Sequence, residues 1–245
     1  SMNNTAVSFD IPTPPRKGTR GGAGDHVYLV LREAIVSLEL KPGQILDKQV
    51  FVERFGVSRA PIYDAFNRLQ AEALVDVVPQ RGTTVSLIKI SDARENMFLR
   101  RALEVEAVRA VTRNFSGDHL EALKQNLRYQ SAAVASGDKI GFHRFDLEFH
   151  AVLFEALGFE RVKAFAETAR LGLDRVRRLL NSRRRQEFTL QEHEAILEEV
   201  QQRNANAAAN AMGAHLDAVM KELETFAAAN PELFADLQTK PDGQP

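Results

Sequence analysis

Asp146 and His150 stand four residues apart in "FHRFDLEFHAVL", which puts both side chains on one face of a helix, near enough to hold a cation between them. An Asp and a His so spaced also make ordinary surface ion pairs. Two more histidines occupy the second half of the chain. His193 lies in "TLQEHEAIL", and His215 lies in "AMGAHLDAV", an apolar setting that disfavours a charged imidazole. Neutral imidazoles joined by a carboxylate suit a divalent metal ion, Zn, Ni, Mn or Fe, with positions open for a further ligand. Spacing alone leaves two readings open: a metal held by these side chains, or three unrelated histidines with ordinary hydrogen bonds. The absence of cysteine excludes disulfides, thiolate metal sites and cysteine nucleophiles.

A second constellation lies in "FGVSRAPIYDAFNRLQAEALV". Gly56 closes one short helix, Ser58 suits the N-cap of the next, and Pro61 is tolerated in a first turn whose N–H groups lack partners. Ile62, Phe66 and Leu69 share one face, whereas Arg59, Tyr63 and Asn67 recur at i, i+4 and i+8 on another. A helix in the major groove presents such N-terminal side chains to base edges, and the Arg59 fork matches O6 and N7 of guanine. Two short β-rich runs, "LVDVV" and "TTVSL", flank "PQRG" and form a hairpin with Arg81 and Gly82 at its tip, suited to a phosphate or a minor groove.

These groups need elements to position them. Val27, Leu29, Val30, Ala34, Ile35 and Leu38 recur at helical spacing before the turn "KPGQ", and Asp47 caps a short helix that buries Val50, Phe51 and Phe55. Three helices and a hairpin make a winged helix-turn-helix over 25–88, preceded by a Pro- and Gly-rich flexible arm over 1–24 whose Arg16, Lys17 and Arg20 can touch phosphates. Residues 89–240 carry one helical pattern after another, roughly 91–114, 117–135, 138–157, 160–182, 189–203 and 205–229. Thr189 and Glu192 form a capping-box pattern that starts one of these helices at Thr189. The fold expected is mostly α: an N-terminal winged helix-turn-helix plus a C-terminal antiparallel all-α helical bundle.

Formal net charge is −1, which argues against indiscriminate coating of nucleic acid. Residues 1–86 carry 10 Lys and Arg against 9 Asp and Glu, whereas 161–185 carry 9 against 2. That basic run can line a pocket, face DNA or end a solvated helix; Arg175 and Arg178, one turn apart, are its candidates for reaching a ligand. No apolar run approaches the roughly 18 residues that span a bilayer, and no secretory apolar core opens the chain, so a cytoplasmic protein without a membrane partner is expected.

The stretch "LKPGQILDKQVFVERFGVSRAPIYDAFNRLQAEALVDVVPQRGTTV" resembles the winged-helix domain of GntR-family bacterial transcription regulators. It keeps Pro42, Gly43, Gly56, Val57, Ser58, Arg59, Pro61, Ala65, Leu69, Arg81 and Gly82. It departs where Tyr63 replaces a second base-reading Arg, Asp64 replaces Glu, Ala73 replaces a common Gly and Gln49 replaces a phosphate-binding Arg. The segments "MFLRRALEVEAVRAV", "GDKIGFHRFDLEFHAVL", "EHEAIL" and "MGAHL" resemble the FadR-type C-terminal effector domain across 91–235.

The resemblance implies a divalent metal held by Asp146, His150, His193 and His215, and a cavity-facing Arg100, oriented by Glu104, for a small carboxylate effector. It implies contacts to double-stranded DNA from Gln49, Ser58, Arg59, Ala60, Tyr63, Asn67, Arg81 and Gly82. One small module grips too little DNA for specific binding, so a homodimer on a pseudo-palindromic operator is expected. The function expected is a ligand-responsive transcription regulator, a repressor by the commoner family arrangement, and not an enzyme. The rivals are a metal-dependent hydrolase-like enzyme and a regulator that senses the metal itself.

Overall fold

The computed structural model describes residues 11–12 and 22–238, which fall into two compact units, one ending at Ile88 and rejoined from Glu232, the other spanning Lys89–Pro231. Arg16, Lys17 and Arg20 lie outside the described residues.

The first unit runs α1 (Ala23–Val36), β1 (Ile45–Leu46), α2 (Lys48–Phe55), α3 (Arg59–Ala71), β2 (Val75–Val78) and β3 (Gly82–Val85). Its core is built by Leu31, Ile35, Phe51, Ile62, Phe66, Leu69, Val75 and Val85, the inward stripes of three helices closed by the sheet. Asp47 caps α2 by accepting from the Gln49 N–H at 2.9 Å, and Gly56 ends it in the left-handed conformation (φ 64°) that glycine adopts without strain. The wing is a hairpin in which Val78 pairs with Gly82. It gains a third strand that alternation did not reveal: β1 pairs antiparallel with β3 in the order β1-β3-β2. Two residues are too few to show a period.

The tail of the chain was expected to belong with the helical domain through residue 240. Its described part from Glu232 groups with the first unit instead. The Ile88 N–H donates to the Leu233 carbonyl (3.0 Å), the Ala235 N–H donates to the Ile88 carbonyl (2.7 Å), and Phe234 is fully buried.

The second unit holds α4 (Ile90–Thr112), α5 (Gly117–Ser136), α6 (Lys139–Leu157), α7 (Glu160–Gly172), α8 (Asp174–Leu179), α9 (Arg183–Gln201) and α10 (Ala205–Ala229). Within it α10 packs along α4 and α9, α5 along α6 and α9, and α4 along α6 and α7. Ser116, Asp138, Ser182 and Asn204 each accept a backbone N–H at a helix start. Two boundaries differ from the sequence expectation. The helix expected over 160–182 is interrupted at Leu173, which separates α7 from α8. The helix expected from Thr189 begins at Arg183, capped by Ser182; Thr189 lies inside it and its hydroxyl accepts from Arg185 (3.1 Å). Among the described residues no helix is long and apolar enough to cross a membrane.

Candidate metal centre and nucleic-acid interface

Three helices bring the histidines and the aspartate together. Asp146 and His150 come from α6, His193 from α9 and His215 from α10, and all three histidines are buried. One nitrogen of each of His150, His193 and His215 lies within 4.8 Å of the others. His193 Nε2 is 3.3 Å from His215 Nε2, and Asp146 Oδ1 is 3.4 Å from His150 Nε2 and 3.5 Å from His193 Nε2. Two ligands bound at about 2.1 Å and a tetrahedral angle stand about 3.4 Å apart, so these separations fit a metal ion's first shell.

The outer nitrogen of each ring faces an acceptor. His193 Nδ1 is 2.9 Å from Gln130 Oε1, His215 Nδ1 is 2.7 Å from Glu192 Oε1, and His150 Nδ1 is 2.6 Å from Glu104 Oε1, a short contact off the line of the ring N–H. Acceptors there favour the tautomers that carry the proton on Nδ1 and turn the Nε2 lone pairs inward. Arg100 agrees for His150: its Nη2 approaches His150 Nε2 at 3.2 Å, a donor meeting a lone pair. With both protons drawn outward, His193 Nε2 and His215 Nε2 face one another as two acceptors, an arrangement that repels unless a cation lies between them.

Further bonds brace these acceptors. Gln130 donates to Asn126 Oδ1 (2.7 Å), and Asn126 donates to the Phe145 carbonyl (2.9 Å). Glu192 also accepts from Arg185. Sequence reasoning missed Gln130, which carries no pattern of its own, and read Glu192 as a capping residue. Its place one residue before His193 was the available signal.

Burial decides the ionisation states. It pushes His193 and His215 well below the usual imidazole range, which keeps both neutral and fit to ligate. Burial, the largest single influence, would raise Asp146, but the Arg177 guanidinium, 2.6 Å from Oδ2, and the neighbouring His150 and His193 together outweigh it and hold the carboxylate well below its ordinary value. Glu104 follows the same logic: burial raises it, whereas Arg100, at 2.8 Å, and then His150 bring it down to about 2.

Arg100 is buried, as a cavity-facing residue must be, and lines a cavity of about 310 Å³ together with Glu104, His150 and Arg177. Of the basic run, Lys163, Arg170 and Arg177 line that cavity, whereas neither Arg175 nor Arg178 does.

The winged-helix unit has the opposite character. Arg59, Ala60, Tyr63 and Asn67 are exposed on α3, and Gln49 is exposed in the first turn of α2. Ser58 occupies the N-cap position of α3, yet its side chain makes no capping bond, which leaves the hydroxyl to other partners. Arg81 and Gly82 are exposed where the β2–β3 turn re-enters the sheet. Sequence reasoning passed over Lys48, whose ammonium lies 4.7 Å from the centre of the Tyr63 ring, a cation–π contact beside the residue that replaces Arg.

Residues 95–218 match the FCD domain, and residues 23–85 match the bacterial regulatory proteins of the gntR family. The chain belongs to the GntR family: it is a DNA-binding transcription regulator with a helix-turn-helix domain followed by an FCD effector domain. It is 32% identical over 217 residues to an HTH-type regulator from an unstable DNA locus of Streptomyces ambofaciens, covering 88% of this chain and 91% of that one. It is 28% identical over 211 residues to the HTH-type transcriptional repressor RspR of Escherichia coli K12, covering 86% and 92%. Among solved structures, a GntR regulator from Rhodococcus sp. RHA1 shares the fold with a TM-score of 0.71 at 21% identity, covering 84% of this chain and 99% of the other.

Proposed function

We propose that this regulator is a repressor whose helical domain holds a divalent metal ion through Asp146, His150, His193 and His215, with a small carboxylate as effector. The observation that carries it is the facing pair His193 Nε2 and His215 Nε2, 3.3 Å apart with an acceptor behind each ring. Zn, Ni, Mn or Fe fits the donor set. Such an ion supplies positive charge and open coordination positions for a carboxylate. Arg100 and Arg177, buried beside it and already oriented by Glu104 and Asp146, take the effector's outer oxygens.

On the DNA side, Arg59 reads guanine, Tyr63 and Asn67 follow it along the groove, and Ser58, Ala60, Gln49, Arg81 and Gly82 meet the backbone. A homodimer presents two such helices to a pseudo-palindromic operator, and effector binding shifts the protein toward a state with lower DNA affinity. The cavity beside the histidines supports a small-molecule effector over the cation as the signal, since a cation alone needs no such volume. Glu104, the carboxylate nearest His150, is held by Arg100 and has little basicity, which disfavours a hydrolase.

Fluorescence anisotropy on a duplex from the regulator's own promoter tests the proposal. Salt-sensitive binding that exceeds random duplex by about a thousandfold or more is expected, weakened by effector acids only in metal-loaded protein. Equal affinity for random duplex would refute it.

A further inference from the structure

The cavity beside the histidines changes character over a short distance. Its charged inner end holds Arg100 and Arg177. Its walls are apolar, formed by Leu147, Ala151 and Phe154 from α6 and Ala166 from α7. Among the described residues that line it there is no Ser, Thr, Asn, Gln or Tyr. A polyhydroxylated acid would press hydroxyls against Leu147, Ala151, Phe154 and Ala166, and each one left unpaired there weakens binding.

The rim is charged, but the signs alternate. Arg144 and Glu148 sit one turn apart on α6, Lys163 and Glu167 one turn apart on α7, and Arg170 lies 3.7 Å from Asp174. Three cations and three carboxylates leave the rim without net charge, so no concentrated field awaits a second anionic group. The strong anion subsite is therefore single and internal. Leu147 and Phe154 stand three residues before and four after His150, about 4.5 Å and about 6 Å along the helix.

Building on the metal and carboxylate reading above, we propose that this cavity selects a monocarboxylate with an apolar body, either phenyl-sized or a chain of about five carbons, and rejects polyhydroxylated acids and diacids. The carboxylate enters the charged inner end, and the body lies between α6 and α7.

Isothermal titration of the full chain, loaded with Zn or Mn or stripped by chelator, tests this with 3-phenylpropanoate, hexanoate, gluconate, adipate and acetate as probes. The two apolar acids should bind loaded protein about tenfold or more tighter than gluconate and adipate. Ala166→Asn, which sets an amide in the wall, should narrow that gap severalfold. If gluconate or adipate matches the apolar acids while acetate still requires metal, the selectivity falls and the carboxylate reading stands. If the apolar acids bind stripped protein equally well, the apolar preference stands and the metal reading falls. Binding of no probe to loaded protein overturns both.

Discussion

In the winged-helix unit Arg59, Tyr63 and Asn67 stand exposed on α3, whereas in the helical unit His193 and His215 are 0% and 2% exposed and each is backed by a hydrogen-bond acceptor. The two environments suit two kinds of ligand. A polyanionic duplex is met by accessible charged and polar groups that the helix alone has to hold in register. A small ligand at a cation needs neutral imidazoles with fixed tautomers, and for His193 and His215 burial together with Gln130 and Glu192 supplies both. Substitutions should therefore act differently in the two places: through individual contacts on the surface, and through the whole donor set in the interior.

The largest effect is expected in the interior. His193→Ala should remove most of the bound metal, read by elemental analysis of purified protein, while effector-free operator affinity stays nearly unchanged; full retention would remove His193 from the donor set. On the surface, Arg59→Ala should cost about 1 to 3 kcal/mol of operator binding and relax specificity at one base position. Lys48→Ala should act more weakly and uniformly across sequences, with the salt slope reduced by about one. Equal losses on all duplexes from Arg59→Ala would assign that residue to phosphate instead.

Glu192→Ala leaves all four proposed ligands in place and removes the acceptor that His215 shares with Arg185. Metal affinity should fall by about 10- to 100-fold in a competition titration with a chelator. An unchanged affinity would show that the ring needs no such brace.

The smallest effect concerns the backbone. Ala73 adopts φ 57°, a left-handed conformation that strains a residue with a Cβ. Ala73→Gly should raise stability by about 1 kcal/mol in denaturant unfolding, with operator binding unaltered.

The winged helix was legible in the sequence because local signals agree there: Asp47 and Gly56 bound α2, and the β-rich runs of β2 and β3 bracket the tip at Arg81. The gathering of Asp146, His150, His193 and His215 is a tertiary fact. Residues on three helices meet only through packing, so spacing could offer candidates and resemblance had to group them. Local rules misled where two of them competed. The Thr189–Glu192 pattern imitates a helix start, but Ser182 caps the helix earlier and Glu192 faces His215. In the basic run, helical spacing drew notice to Arg175 and Arg178. The break at Leu173 separates α7 from α8, and Arg177 is the one that meets Asp146.

The central claim is a metal ion held among α6, α9 and α10 by imidazole nitrogen and carboxylate oxygen. X-ray absorption at the metal edge of the purified regulator tests it most directly. The account predicts a shell of nitrogen and oxygen at about 2.0 to 2.2 Å with the outer-shell scattering of three imidazoles. A spectrum without imidazole scattering, or a protein that binds no stoichiometric metal, would contradict it.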